Sequence, residues 1–245
     1  MPKFSLIIPA YNESNYLPRL LDTVDEARSC YHGGLDEIEV IVAHNNSRDD
    51  TAKIAHNRGC IVMHIAERRI ASVRNGGASI AEGKVLCFVD ADMRIHPQTF
   101  NAVERSTEAG NVVAGATGIR LERMSIGIGV TYAIILPVVW LTKVDTGVVF
   151  CRRSDFDAIG GYSVSMNFGE DVRFLLEIRK LGRERGLKLA RLSGVKALSS
   201  ARKWDQLGEW HFLATMAEIF RIGGFRLHQN SEIVDRYWYG DQREP

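Results

Sequence analysis

Two aspartates flank one small residue in Asp90-Ala91-Asp92, directly after the apolar run Val85–Val89. Carboxylates at that spacing, at the exposed end of a buried strand, can share a divalent cation with a diphosphate. Mg2+ or Mn2+ takes oxygen ligands, commonly one or two carboxylates, and leaves the rest of its shell to phosphate oxygens and water. The same pair could serve only a turn or a helix start, since Asp favours both. A second acidic pair, Glu170-Asp171, follows Gly169 and opens the amphipathic stretch V-R-F-L-L-E-I-R-K-L. The macrodipole stabilises an anion at a helix N-terminus, and a carboxylate held there can take a proton from a hydroxyl; ordinary helix-start charge is the alternative. Arg74 offers a guanidinium able to pair with phosphate oxygens or to orient carboxylates, against the alternative of a solvated helix face shared with Arg68 and Arg69.

These groups need a scaffold, and the first half of the chain alternates strand and helix signals. Phe4–Pro9 is an apolar run of strand length, after which Leu17, Leu20, Leu21, Val24 and Ala27 recur at helical spacing, with Pro18 in the first turn. Ile38–Ala43 reads as a second strand, 51–58 as a short helix stopped by Gly59, and Cys60–Ile65 as a third strand. A helix over 72–82 closed by Gly83, a fourth strand over Val85–Val89 and a helix from Pro97 to about Ala109 follow. Such alternation builds a mostly parallel sheet covered on both faces, with ligands at the carboxyl ends of the strands. The polar clusters Pro9–Glu13, His44–Asp50 and Asp90–Asp92 all fall at such ends. Further on, strands are expected over 112–118, 147–151 and 187–192, with helices over 171–181 and 204–221.

The 245 residues suffice for one catalytic-sized domain with a sizeable core. At 45% hydrophobic and 25% charged residues with a net charge of +1, the composition excludes a disordered or collagen-like chain and gives no support to a nucleic-acid partner. Cys30, Cys60, Cys87 and Cys151 are far apart without a C-x-x-C pair, which is expected of reduced cysteines in a cytoplasmic protein. No signal-peptide pattern opens the chain.

In order, the chain carries S-L-I-I-P-A-Y-N-E (5–13), V-I-V-A-H-N-N-S-R-D-D-T (40–51), V-R-N-G-G (73–77), V-L-C-F-V-D-A-D (85–92) and G-E-D (169–171). As a set, over residues 3 to about 182, this resembles the family 2 glycosyltransferases. The resemblance implies an α/β fold of the GT-A type, with a mostly parallel central sheet and helices on both faces. It implies a single domain over 1–245, comprising a nucleotide-sugar-binding lobe (1–118) and an acceptor lobe with a C-terminal helix (119–245). The implied activity is metal-dependent, inverting transfer of a sugar from a nucleotide-diphospho-sugar to a hydroxyl, in glycan, glycolipid or cell-envelope synthesis.

By the same resemblance, Pro9, Ala10, Tyr11, Asn12 and Glu13 line the base and ribose pocket, although Glu13 could equally be a first-turn helix acid. Asn45 stands where the family reads the base edge. An Asn amide can both accept from and donate to a uracil imide, which favours a UDP-sugar, while His44 replaces an acidic residue common in that loop. Asp49 is expected to serve the helix start at Thr51. Arg74 and Asn75 match the segment before the metal strand, Arg74 as a donor-site residue. Asp90, Ala91 and Asp92 match the D-x-D element that binds the donor with Mg2+ or Mn2+, Asp92 as direct metal ligand and Asp90 toward ribose or sugar. Asp171 is the implied catalytic base, and Glu170 its orienting or acceptor-binding neighbour. Ser199–Trp204 looks like an S-A-R segment of some small members, from which Arg202 or Lys203 could reach a diphosphate; a surface basic pair is the alternative.

Two other function classes are carried alongside. The altered H-N-N-S loop would suit a non-catalytic nucleotide-sugar binder or partner subunit, but retained Asp92 and Asp171 argue against it. A nucleotidyltransferase would carry a Gly-rich basic loop after strand one, and P-A-Y-N-E is none. One segment, 124–142, has no charged residue and is just long enough to pass as a membrane span. A single crossing there would separate Asp92 from Asp171, so it is not expected to span. Gly127, Gly129, Thr131 and Pro137 suit a broken, core-packed or lipid-touching helix, with peripheral contact at the inner membrane face and a sugar or lipid-linked acceptor as the corresponding expectations.

Overall fold

The structure, a computed structural model, describes residues 1–165 and 169–214. Its strands are β1 (Phe4–Ala10), β2 (Ile38–His44), β3 (Ile61–His64), β4 (Val85–Phe88), β5 (Met93–Arg94), β6 (Val112–Ala116), β7 (Ile119–Leu121), β8 (Val149–Arg152), β9 (Lys188–Arg191) and β10 (Ala197–Ser199). Its helices are α1 (Leu17–Ser29), α2 (Thr51–Asn57), α3 (Ile70–Ile80), α4 (Thr99–Glu108), α5 (Ile126–Thr142), α6 (Arg153–Ile159), α7 (Glu170–Glu184) and α8 (Arg202–Leu207).

Seven strands form one sheet in the order β3-β2-β1-β4-β8-β6-β9, parallel except at β8, which runs antiparallel to both β4 and β6. The sheet therefore draws on strands from both halves of the sequence. Every residue of β1 is buried, and its side chains alternate between two cores as a pleat requires. Phe4, Leu6, Ile8 and Ala10 join α1 and α4 on one face. Ile7 points to the other, where α3, α6 and α7 contribute Ala71, Phe156, Phe174 and Ile178. Gly83 closes the turn from α3 into β4, where a Cβ would come within 2.5 Å of the Phe4 and Ser5 backbone.

Chain order reverses beside β1. The path steps outward through β2 and β3, then returns to place β4 on the other side of β1. The crevice at the carboxyl ends of β1 and β4 is the place such sheets bind ligands.

A second, three-stranded sheet (β5-β10-β7) was not legible in the sequence, nor was α6. β10 pairs with β5 just beyond Asp92, setting Ser199 opposite Met93. The helix expected over 204–221 is interrupted: α8 starts at Arg202 and ends before Gly208, whose φ of 88° and ψ of 159° are not helical. Helix resumes over 211–214, and the rest of that expectation lies outside the described residues. α5, by contrast, is continuous through Gly127, Gly129 and Pro137, capped by the Ser125 hydroxyl, which accepts from the Ile128 N–H at 3.3 Å.

Candidate active site

The crevice is lined by Pro9, Ala10, Tyr11 and Glu13 after β1, Asn45 after β2, Ile70 and Val73 of α3, Asp90, Ala91 and Asp92 after β4, Glu170 of α7, and Arg202 and Lys203 of α8. Six separate stretches of sequence thus converge on one cleft.

Asn12, not itself among these lining residues, is in a left-handed conformation (φ 50°) and shapes the neighbouring loop. Its backbone N–H donates to Ser47 Oγ (3.0 Å) and its Oδ1 accepts from the Arg48 N–H (2.9 Å). Asp49 accepts from the backbone of Ser14 and Thr51, each at 3.0 Å. Burial alone would raise its carboxyl, but these hydrogen bonds outweigh it and hold the group below its ordinary range. Asn45 spends its amide donors on the carbonyls of Ile65 (2.7 Å) and Glu67 (2.8 Å), so only Oδ1 is left to read a base, as an acceptor. His44 is buried beside His64, with their Nδ1 atoms 3.0 Å apart; burial, and then the neighbouring His64, push its pKa down.

Arg74 is the hub. Its side chain is 3% exposed, its Nη2 donates to Asp90 Oδ1 (2.8 Å), and its Nη1 lies 2.7 Å from both Glu170 Oε1 and Asp171 Oδ1. The guanidinium also lies 5.2 Å from the centre of the Tyr162 ring, which stacks on Phe174 at 4.3 Å. Asn75 fixes that ring's backbone, donating to the Tyr162 carbonyl and accepting from its N–H, each at 2.8 Å. Three carboxylates thus engage both terminal nitrogens that the sequence left open for phosphate, while the buried Nε is without a hydrogen-bond partner among the described residues. Arg74 orients carboxylates, joining Asp90 at the end of β4 to the start of α7.

Asp171 lies at this junction. Burial first, then repulsion from Glu170 and Asp90, raise its carboxyl from 3.8 to about 7 even with Arg74 adjacent. A carboxylate poised near neutrality suits a general base. Its neighbour Glu170 is buried and shares the Arg74 Nη1.

Asp92 is held differently. Its Oδ2 accepts from Ser200 Oγ (3.0 Å) and lies 3.1 Å from Arg202 Nε, while the two terminal nitrogens of Arg202 meet both oxygens of Glu13 at 2.7 Å. Arg202 also stands over the Tyr16 ring at 4.7 Å. The S-A-R-K-W segment was the only signal for this contact; the pairing of β10 with β5 carries it over the cleft. Among the described residues no three His, Cys, Asp or Glu side chains form a ready metal cage. Two carboxylates with no third protein ligand still fit Mg2+ or Mn2+, which complete their shell with phosphate oxygens and water.

Residues 5–126, about half of the chain, match the family described as Glycosyl transferase family 2. The chain belongs to that family. Among curated relatives, validoxylamine A glucosyltransferase of Streptomyces hygroscopicus is 29% identical over 109 residues, covering 42% of this chain and 25% of the relative. The match to such relatives spans about a quarter of their length. Among solved structures, Staphylococcus aureus TarS 1-349 superposes with a TM-score of 0.61 at 17% identity, over 82% of this chain and 61% of that one. The mannosyltransferase PcManGT of Pyrobaculum calidifontis, in complex with GDP-Man and Mn2+, gives 0.62 at 17% identity, over 81% and 56%. At such identities the superpositions speak for the fold, that of the GT-A glycosyltransferases.

Proposed function

We propose that this member of the family is an inverting, cation-dependent glycosyltransferase that moves a sugar from a nucleotide-diphospho-sugar to an acceptor hydroxyl. The observation that carries the reading is the Arg74 hub, which joins Asp90 of the cleft to Glu170 and Asp171 at the start of α7. Asp171 takes the proton of the acceptor hydroxyl, whose oxygen attacks the anomeric carbon from the face opposite the diphosphate. A single displacement with one base inverts configuration. A divalent cation held by Asp92 and Asp90 would supply positive charge for the departing diphosphate.

Residues 1–118 provide the donor lobe and 119–245 the acceptor lobe. Pro9–Glu13 and Asn45 flank the base and ribose, and the Asn45 Oδ1 can accept from a uracil imide N–H. A UDP-sugar is further supported by TarS, solved in complex with UDP-GlcNAc. Cell-envelope synthesis is consistent with relatives such as the poly(ribitol-phosphate) β-N-acetylglucosaminyltransferase TarS.

The acceptor lobe carries the chain's oddest surface. No described helix is long and apolar enough to cross a membrane. Yet α5 turns Gly127, Ile128 and Thr131 inward and leaves Ile126, Val130, Ile134, Leu136, Trp140 and Leu141 exposed. At 100° per residue these exposed positions fill an arc of about 160° that carries no charge, the reverse of a soluble amphipathic helix. Lys143, 5.1 Å from the Trp140 ring, and Arg179, which donates to the Thr142 carbonyl at 2.8 Å, place cations at its C-terminal end. Peripheral docking on an anionic membrane at the cytoplasmic face, with a lipid-linked acceptor, accounts for this surface.

A thermal-shift screen of nucleotide-sugars with and without Mn2+ tests the reading. A ligand of the folded state raises the melting temperature with its concentration. We expect stabilisation by a UDP-sugar that grows with Mn2+; no response to any nucleotide-sugar would refute the proposal.

A further inference from the structure

In the cleft as folded, a cation already stands between Glu13 and Asp92. It is the guanidinium of Arg202, held by two contacts of 2.7 Å to Glu13, by the face of Tyr16, and by the longer 3.1 Å approach of Nε to Asp92. Only 13% of the side chain is exposed. A guanidinium gripping one carboxylate with both terminal nitrogens is in its strongest pairing geometry, so Glu13 is the anchor and Asp92 the looser partner. Ser200 adds a second donor to the same Asp92 oxygen. A metal ion that takes Asp92 through Oδ2 must displace these donors, and one that takes Oδ1 meets a carboxylate whose charge Arg202 already offsets at 3.1 Å.

We propose that Arg202 is the donor site's internal counter-cation. It suppresses metal binding to the empty protein, so that the divalent cation enters only together with the nucleotide diphosphate. The inference rests on the donor-site reading above and adds an order of binding to it. The charges support that order. The cleft gathers the carboxylates Glu13, Asp90, Asp92 and Glu170, with Asp171 beside them, against Arg74, Arg202 and Lys203, so a bare cation would be attracted, yet Oδ2 of Asp92 already carries two donors. A diphosphate changes the balance: its oxygens offer the cation further ligands and offer Arg202 an alternative anion. Arg202 can then release Asp92 while keeping its grip on Glu13. Two ligands that each favour the same rearranged state bind with positive coupling.

The test is Mn2+ binding followed by electron paramagnetic resonance, without and with UDP, in the full chain and in Arg202→Gln and Arg202→Lys. In the unsubstituted protein UDP should tighten Mn2+ binding by about tenfold or more. In Arg202→Gln, Mn2+ should bind about tenfold tighter without UDP, and most of the UDP coupling should vanish. Arg202→Lys, which keeps the charge but cannot span both carboxylates, should fall between and serves if the Gln variant does not fold. Mn2+ binding to the UDP-free variants that is no tighter than to the unsubstituted protein would overturn the proposal. Loss of the donor-site reading has a separate signature: UDP itself would fail to bind to any of the proteins.

Discussion

Replacing Asp171 by Asn should make the protein more stable and much less active. In the unfolded chain this carboxyl ionises near 3.8, in the folded protein at about 7. Between those values the folded state holds the proton more tightly. The stability it contributes is therefore fully present below about pH 4 and is lost as pH rises through about 7. That span, at about 1.4 kcal/mol per unit, sets an upper bound of roughly 4 kcal/mol. The side chain keeps 22% exposure, so solvent screening trims the figure to about 2 kcal/mol. Asn keeps the shape and discards the charge, while Asp90 and Glu170 remain to satisfy Arg74. For a chain of this length about 2 kcal/mol is worth about 4–8 °C in melting temperature. Thermal unfolding of both proteins at pH 8 and pH 5 should show that gain at pH 8 and roughly 40% of it at pH 5, because the unfolded carboxyl already ionises above about pH 3.8. Nucleotide release should fall by about 100- to 10,000-fold, with nucleotide binding near that of the unsubstituted protein. An Asn variant less stable at pH 8 would mean that ionised Asp171 is a net favourable partner of Arg74. Undiminished turnover would remove Asp171 from the base role.

Four other outcomes follow from the same geometry. Turnover of the unsubstituted enzyme should rise about tenfold from pH 6 to pH 8 as Asp171 ionises, whereas a flat profile would place the base elsewhere. Arg74→Met leaves Asp90, Glu170 and Asp171 without their shared cation and should cost about 3–5 kcal/mol in denaturant unfolding. Gly83→Ala forces a Cβ to within 2.5 Å of the β1 backbone and should cost about 1–3 kcal/mol by the same measurement. Ile134→Asp together with Trp140→Ser should abolish co-sedimentation with anionic liposomes while leaving the melting temperature unchanged. Both side chains are exposed, so equal sedimentation of the double variant would show that α5 is not the contact.

The alternation of β1 through α4 could be read in the sequence because each element there is a long apolar run or a helical-period stripe bounded by glycine or proline. Asp90, Asp92 and Asp171 were legible for a related reason: each lies where a periodic element ends or begins, and strand ends are where such sheets bind ligands. β5, β7 and β10 span only two or three residues, too few to show a period, and they exist because they pair with one another. Yet that pairing is what carries Ser200 and Arg202 onto Asp92. Arg74 was singled out by type and position, but its carboxylate partners follow from the packing of α3 and α7 against the sheet, which brings Glu170 and Asp171 to the same guanidinium as Asp90 and which no local spacing encodes. The direction faced by α5 is another such case. Its lack of charge is a property of the chain, whereas the outward turn of its bulky side depends on which face the neighbouring elements leave uncovered. Sequence alone thus determined the order of elements and the chemical types at their ends, because these are local properties. Which cation neutralises which carboxylate was decided only by contacts between residues as distant as Glu13 and Arg202, since electrostatics acts through space.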